Sequence, residues 1–179
     1  AHYYRTGDLE AGAAILQKEF SSANEALTKI LGDTPRIHFH LPPARSFNRI
    51  WSNAGGDDIS GFRSTVLKIS QTHQPVQGIE VGRGGFVVRG LAPIFSQEGE
   101  YYGSVELLFP IEDLFSLLKH KENEHFAVFM HKRLLKIATR FANIQSNVAA
   151  KNREVGDFVF VRSSDEERFQ PDLLSAEFL

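Results

Sequence analysis

Three strand-like segments follow one another in the middle of the chain, with only short turns between them. They span residues 76–81, 86–95 and 101–109, and glycines occupy the turns at 82–85 and 97–100. Parallel neighbours need a crossover of a dozen or more residues, so turns this short join antiparallel strands. The chain is therefore predicted to be an α+β protein with a mainly antiparallel sheet, and not a doubly wound α/β fold.

A long amphipathic helix is predicted before the sheet, over residues 8–31. Gly32 and Pro35 end the pattern, as is typical of a helix C-terminus. The heptad-like spacing leaves two interpretations open. The helix packs on its own domain, or it emerges from a membrane span and pairs with a second subunit in a homodimer. The apolar positions are Leu9, Ala13, Leu16, Phe20, Ala23, Leu27 and Ile30.

Other segments extend the α+β pattern on both sides of these strands. Strict alternation over residues 36–41 predicts a strand that Pro42 and Pro43 end. The organisation we predict is an N-terminal helix (1–34), a sheet domain with flanking helices (35–120) and a smaller C-terminal α/β extension (121–179). The remaining predictions are strands at 45–51, 126–130 and 157–161, a turn at 53–58, helices at 59–70 and 110–120, and partly helical segments at 132–150 and 165–179.

The composition argues against several functional classes. With 179 residues, a hydrophobic fraction of 42% and a net charge of −2, the chain can bury a core but gives no sign of nucleic-acid binding. It has no cysteine, which excludes disulfides, thiolate metal sites and a catalytic cysteine. No hydrolase, kinase or metalloprotease signature is present, and the turn at 82–85 lacks the features of a phosphate-binding loop. We expect neither an enzyme nor a cofactor.

Arginine is the residue type that most strongly suggests a ligand. Its guanidinium presents a planar fork that matches a carboxylate, so several converging arginines would bind a small anion. The alternative for any single arginine is a structural ion pair with Asp57, Asp58, Glu80 or Glu106. For the set as a whole, we expect at least one or two members to face a ligand. The set consists of Arg45, Arg49, Arg63, Arg83 and Arg89.

His38 and His40 lie two residues apart on a predicted strand, so they point to the same face of the sheet. This spacing can hold a metal ion. A third ligand is not evident nearby, and Glu106 is the only candidate that strand parity offers. We therefore favour hydrogen-bonded polar groups that line a pocket, or a packed polar sheet face, and assign no metal site.

Three motifs in order resemble a family of bacterial sensors. They are HFHLPPARSF at 38–47, GDDISGFR at 56–63 and GIEVGRGG at 78–85. The region 36–109 resembles the Cache-type sensor domains of methyl-accepting chemotaxis proteins, sensor histidine kinases and diguanylate cyclases. The resemblance implies a long N-terminal helix before a PAS-like antiparallel sheet. Residues 121–179 would be an extension or a reduced second PAS-like module.

The resemblance also implies a function. It indicates a periplasmic ligand-sensing domain between two transmembrane helices of a signalling receptor, with a chemoreceptor favoured. Such domains typically bind a small molecule, often an organic acid or amino acid, in a pocket against the central sheet. The alternative is a ligand-free dimerisation or interaction module of a sensor histidine kinase or diguanylate cyclase, which responds to a periplasmic partner protein. By position, the resemblance implies carboxylate contacts at Arg45, Arg49, Arg63, Arg83 and Arg89, with His40, Trp51 and Glu106 as lining.

Overall fold

The long helix and most of the strands form where the sequence patterns predict them. A computed structural model describes residues 2–52, 54–118, 121, 123–140 and 154–165. The chain divides into two units, Ala1–Glu80 with Val88–Phe109, and Val81–Val87 with Pro110–Leu179. The helices are α1 (His2–Thr6), α2 (Leu9–Leu31), α3 (Ser64–Thr72), α4 (Asp113–Leu118) and a 3₁₀ helix (Lys132–Leu134). The strands are β1 (Arg36–Leu41), β2 (Arg45–Arg49), β3 (Val76–Gly82), β4 (Gly85–Phe95), β5 (Tyr101–Pro110), β6 (Ala127–His131), β7 (Glu154–Val155) and β8 (Phe158–Ser163).

The first unit is built on a five-stranded antiparallel sheet with the strand order β2-β1-β5-β4-β3. In this register His38 lies opposite Glu106, and His40 lies opposite Ser104 of β5. On the other side of β1, Ser46 of β2 lies opposite His40. The pairing of β1 with β5 therefore joins polar residues that are distant in sequence, 64 positions apart for His40 and Ser104.

Alternation along β1 and β5 places apolar residues on one face of these two strands and polar residues on the other. Ile37 and Phe39 of β1 form an apolar cluster with Val105 and Leu107 of β5. The residues between them, His38 and the others described below, point to the opposite face. Three of the apolar positions of α2 pack against this cluster, as expected if the helix packs on its own domain. They are Leu16, Phe20 and Leu27 of α2.

α2 begins and ends at residues that the sequence marks. Asp8 is its N-cap, and one carboxylate oxygen of Asp8 accepts a hydrogen bond from the backbone N–H of Ala11 at 2.9 Å. Gly32 follows the last turn with a φ of 77°, a left-handed conformation that glycine adopts readily. The two caps fix the length of the helix that covers the apolar face of the sheet.

Asp8→Ala is expected to lower the free energy of unfolding by about 1 kcal/mol, because the N-cap side chain satisfies a backbone N–H that the helix leaves unpaired. Urea denaturation followed by circular dichroism measures the change. Glu25→Ala, at an exposed position inside the same helix, is the matched control and should shift the value by less than about 0.5 kcal/mol. An equal loss in the two variants would contradict the capping role.

The helix predicted at 59–70 begins later, at Ser64. Ile59 is instead tied to the sheet region, because its backbone N–H donates to the carbonyl of Ala44 at 3.0 Å. Its side chain is buried in a core cluster with Val66 and Ile69 of α3. The apolar periodicity at 59–62 thus reflects burial in this core and not the first turn of a helix.

Some predicted boundaries and elements differ from the structure. The helix predicted at 110–120 begins at Asp113, because Pro110 ends β5 and does not start the helix. Residues 119 and 120, 141–153 and 166–179 lie outside the described residues, so the helical predictions there have no structural counterpart to compare. The sequence patterns do not predict α1 or the two-residue strand β7.

The second unit contains a three-stranded antiparallel sheet with the strand order β6-β8-β7. Its core forms around Met130 and Ala138, which are fully buried, and Val81, which is 7% exposed. Val81 comes from the tip of the β3–β4 hairpin, which belongs to this unit. The prediction of an α+β fold with a mainly antiparallel sheet is confirmed.

Candidate functional site

Six ionisable side chains meet on the polar face of the five-stranded sheet, and we call them the buried polar cluster. They come from β1, β3, β4, β5 and the residue that precedes α3. Five of them are at most 4% exposed. Because burying a charge is unfavourable unless it is paired, the cluster depends on its internal contacts. Its members are His38, His40, Arg63, Glu80, Arg89 and Glu106.

Each histidine of the cluster is oriented by a buried serine. Nε2 of His38 lies 2.7 Å from Oγ of Ser46 on β2, and Nδ1 of His40 lies 3.0 Å from Oγ of Ser104 on β5. The remaining ring nitrogens, Nδ1 of His38 and Nε2 of His40, face each other at 3.0 Å. The serines thus fix which nitrogen of each ring points into the cluster.

Glu106 is the centre of the cluster, and its two oxygens have different surroundings. Oε1 accepts hydrogen bonds from Nη2 of Arg63 and from Nη1 of Arg89, the latter at 3.0 Å. Oε2 lies 3.6 Å from Nδ1 of His38 and 3.5 Å from Nε2 of His40. It is buried and has no hydrogen-bond partner among the described residues. One side of the carboxylate is therefore saturated, whereas the other faces only the two imidazoles.

Glu80 connects the cluster to the start of α3. Its carboxylate accepts from Nε of Arg63 at 2.8 Å and from the hydroxyl groups of Ser64 and Thr65, each at 2.7 Å. The backbone N–H of Thr65 also donates to it, at 3.0 Å. A carboxylate at a helix N-terminus satisfies unpaired N–H groups and interacts favourably with the helix dipole. Glu80 therefore holds Arg63 and α3 in place together.

Burial sets the protonation of the histidines. Removal from water lowers the pKa of His38 to about 3 and also lowers that of His40, although Glu106 acts to raise both. Burial alone would raise the pKa of Glu106, but the two histidines that face it and the charges of Arg63 and Arg89 hold that pKa well below its usual range. Near neutral pH the cluster thus has neutral histidines and two arginines balanced by two carboxylates.

Arg49 and Trp51 lie at the accessible edge of this face. The guanidinium of Arg49 forms a bidentate pair with Asp57, at 2.8 and 2.9 Å, and the two side chains are 21% and 28% exposed. Trp51 is 39% exposed, and its ring centroid lies 6.1 Å from that of His38. The edge of the polar face therefore offers a solvent-accessible charge pair beside an aromatic ring.

The structure brings together four of the eight sequence-predicted site residues: His40, Arg63, Arg89 and Glu106. Arg49 and Trp51 lie at the edge just described. The other two are placed differently: Arg45 is exposed and donates to the carbonyl of Gly56, and Arg83 lies in the tip of the β3–β4 hairpin.

The predicted set omits four residues that the structure adds. For His38, the only sequence signal is that it shares a strand face with His40. Glu80 is predicted only as an ion-pair partner of an arginine. Ser46 and Ser104 carry no signal in the sequence, because their roles depend on the strand register.

Two larger cavities of the first unit are mainly apolar. One has a volume of about 700 Å³ and is lined by residues that include Phe20, Leu27 and Leu107. The other has about 440 Å³, with Leu16 and Phe39 in its wall. Mainly apolar walls match a charged group poorly, although some polar residues also line them: Gln77 and Glu106 in the first cavity, and Arg5, Glu19 and His40 in the second. The buried polar cluster and its edge are therefore the better candidate for recognition of a polar molecule.

Comparison with known proteins identifies one family. A family model described as the double sensory domain of two-component sensor kinases matches residues 16–159. No curated protein matches the sequence. A solved structure, the extracellular ligand binding receptor from Desulfohalobium retbaense DSM5692, is similar with 19% identity and a TM-score of 0.46. The match covers 80% of this chain and 31% of that one. Among the described residues, no helix has both the length and the apolar character that a membrane span requires.

Proposed function

The chain belongs to the family of double sensory domains of two-component sensor kinases, a Cache-type family, and we propose that it is the extracytoplasmic ligand-sensing domain of a membrane-anchored receptor. The family description names a sensor kinase. We therefore take a histidine kinase as the output, in preference to the chemoreceptor that the sequence resemblance favours. For a bacterial receptor of this kind, the domain would lie in the periplasm.

The observation that carries ligand binding is the Arg49–Asp57 pair at the edge of the buried polar cluster. Both side chains are partly exposed, so a solute can reach them. A ligand carboxylate offers the same two oxygens as Asp57 and can take its place on the guanidinium fork. The ligand proposed is a small organic acid or amino acid, with Trp51 as an apolar wall beside its carboxylate.

The structure supports the other predicted contacts to different degrees. His40, Arg63, Arg89 and Glu106 would form the floor of the site, but both arginines already bind carboxylates of the chain. For these two arginines, the structural ion pair is the simpler role. Arg45 and Arg83 have the least support. A single exchangeable pair at Arg49, and not a clamp of five arginines, is therefore the proposed anion contact.

The direct test is a thermal-shift screen of small acids and amino acids, each paired with its amide or ester. An acid that binds the native domain should raise the melting temperature in proportion to the logarithm of its concentration above Kd, and its amide or ester should not. If no acid in the screen stabilises the domain, the proposed function fails. The ligand-free interaction module then becomes the better hypothesis.

Two opposite substitutions distinguish an exchangeable pair from a structural one. Arg49→Gln should weaken binding of the stabilising acid by about tenfold or more, because a charge-assisted bidentate contact is lost. Asp57→Asn should strengthen it, since the competing carboxylate is removed. Arg162→Gln alters an exposed ion pair with Glu112 and is the matched control that should leave the affinity unchanged. Weaker binding in Asp57→Asn would show that the pair is structural.

Dimerisation and a second module are further parts of the proposal. Ile15 and Ile30 of α2 are 44% and 78% exposed, which favours pairing of this helix with that of a second copy in the intact receptor. The family is described as a double sensory domain, and its match extends to residue 159. The three-stranded sheet of the second unit would then be a reduced second sensor module.

A further inference from the structure

We propose that His38, His40 and Glu106 form a binding site for a divalent transition-metal ion, with Zn²⁺ as the cation that fits them best. The ligand atoms would be Nδ1 of His38, Nε2 of His40 and Oε2 of Glu106. These three atoms lie within 4.8 Å of one another, and all three residues are buried. The site shares His40 and Glu106 with the floor of the proposed ligand site, but metal binding does not depend on the Arg49 contact.

The distances between the three atoms match a metal coordination triangle. They are 3.0 Å between the two nitrogens, and 3.6 and 3.5 Å from the carboxylate oxygen to the nitrogens of His38 and His40. Ligands of a tetrahedral zinc ion lie about 3.3 Å apart when each bond is about 2.0 Å. A triangle of this size encloses a point about 2.0 Å from each of its corners, which is the length of a zinc–nitrogen bond.

The serines orient the histidines as metal ligands are usually oriented. Ring nitrogens that bind a metal leave the second N–H of each ring to a hydrogen-bond acceptor. Here Ser46 can accept from Nε2–H of His38, and Ser104 can accept from Nδ1–H of His40. In these tautomers the other two nitrogens, which face each other at 3.0 Å, both carry a lone pair that a metal ion can accept.

The unpartnered oxygen of Glu106 is a second observation that points to a ligand at this position. The residue is 0% exposed, and Oε2 has no hydrogen-bond partner among the described residues. Nδ1 of His38 and Nε2 of His40 form a hydrogen bond with each other at 3.0 Å, in which one of them carries the proton. In the tautomers above neither carries it, so the two lone pairs and Oε2 would repel one another unless a cation lies between them. A cation inside the triangle removes that repulsion and satisfies all three atoms at once.

Two imidazoles and one carboxylate suit Zn²⁺, which commonly takes such sets with further positions left for water or another ligand. The arginines do not compete for the same atom, because they bind Oε1 of Glu106. Since two arginines and two carboxylates already balance in the buried polar cluster, a divalent ion would add net positive charge. An anion at an open coordination position would offset it.

The experiment measures metal uptake by the 179-residue chain without a polyhistidine tag. The protein is stripped with chelator and titrated with Co²⁺, whose visible absorption reports nitrogen and oxygen ligands, and the Co²⁺ is then displaced with Zn²⁺. We expect saturation at one equivalent, and X-ray absorption of the zinc form should show two imidazole ligands. Failure of the wild-type protein to take up either ion stoichiometrically overturns the proposal, whether or not any acid stabilises the domain.

Variants test the assignment of the ligands. His40→Gln should weaken uptake by at least about 100-fold, and Ser104→Ala by about tenfold, because an orienting hydrogen bond is lost. His125→Gln replaces a partly exposed histidine outside the site and should leave uptake unchanged. Circular dichroism checks that each variant folds. If His40→Gln does not fold, the metal affinity of Ser104→Ala and the X-ray absorption spectrum of the zinc form test the ligand assignment instead. Uptake that depends on His125 and not on these residues contradicts the site.

Discussion

Glu106→Gln is expected to lower the free energy of unfolding by about 3–5 kcal/mol, the largest loss we predict for a single polar substitution in this domain. The carboxylate is 0% exposed and accepts from both Arg63 and Arg89. Its replacement by a neutral amide leaves the two buried guanidinium groups with only Glu80 to balance them. An amide also turns a donor or a weaker acceptor toward them. Urea denaturation of the metal-free protein measures the change.

The matched control for this prediction is Glu112→Gln. Glu112 accepts from Nε of Arg162 at 2.8 Å, but the two side chains are 39% and 45% exposed. Exposed pairs contribute only about 0–1 kcal/mol, because solvent screens the charges and the side chains lose entropy on pairing. The same chemical change should therefore have very different effects at the two positions. Similar losses, or a Glu106→Gln loss below about 1 kcal/mol, would contradict the central role of Glu106.

The elements of the fold could be predicted from the sequence where local pattern decides the structure. Apolar and polar residues alternate strictly over residues 36–41, and β1 has the same first and last residues as the predicted strand. Asp8 and Gly32 mark the two ends of α2 because capping depends on nearby residues. The helix predicted from Ile59 begins too early, because burial in a tertiary core produces the same apolar spacing as a helix face. Local signals thus identified the elements better than they identified boundaries that tertiary contacts set.

The candidate site was only partly predictable, because it depends on strand register. Strand parity places His38 and His40 on one face and names Glu106 as their only possible third partner. It cannot show that β5 lies beside β1 with His38 opposite Glu106, since that pairing joins distant segments. The prediction of a site from the arginines had the same limitation. Their residue type suggests an anion, but only the structure shows that Arg63 and Arg89 bind carboxylates of the chain itself.

Gly103→Ala is the second substitution with a large expected effect, because the position requires glycine for two separate reasons. Gly103 has a φ of +139°, a backbone conformation that residues other than glycine rarely adopt. A methyl group there would also overlap the backbone carbonyl oxygen of His40 on the neighbouring strand. Backbone strain and overpacking together should lower the free energy of unfolding by about 2–5 kcal/mol, as measured by urea denaturation.

Gly90→Ala on the adjacent strand β4 separates this effect from the general cost of replacing a strand glycine. A methyl group at Gly90 meets nothing within 4 Å, so the change should be neutral or stabilising by up to about 1 kcal/mol. In Gly103→Ala, β5 can relieve the overlap only by moving away from His40, and Ser104 must move with it. The variant should therefore lose stability and also take up Co²⁺ more weakly. A stable Gly103→Ala protein with unchanged uptake would show that the β1–β5 register does not hold the cluster together.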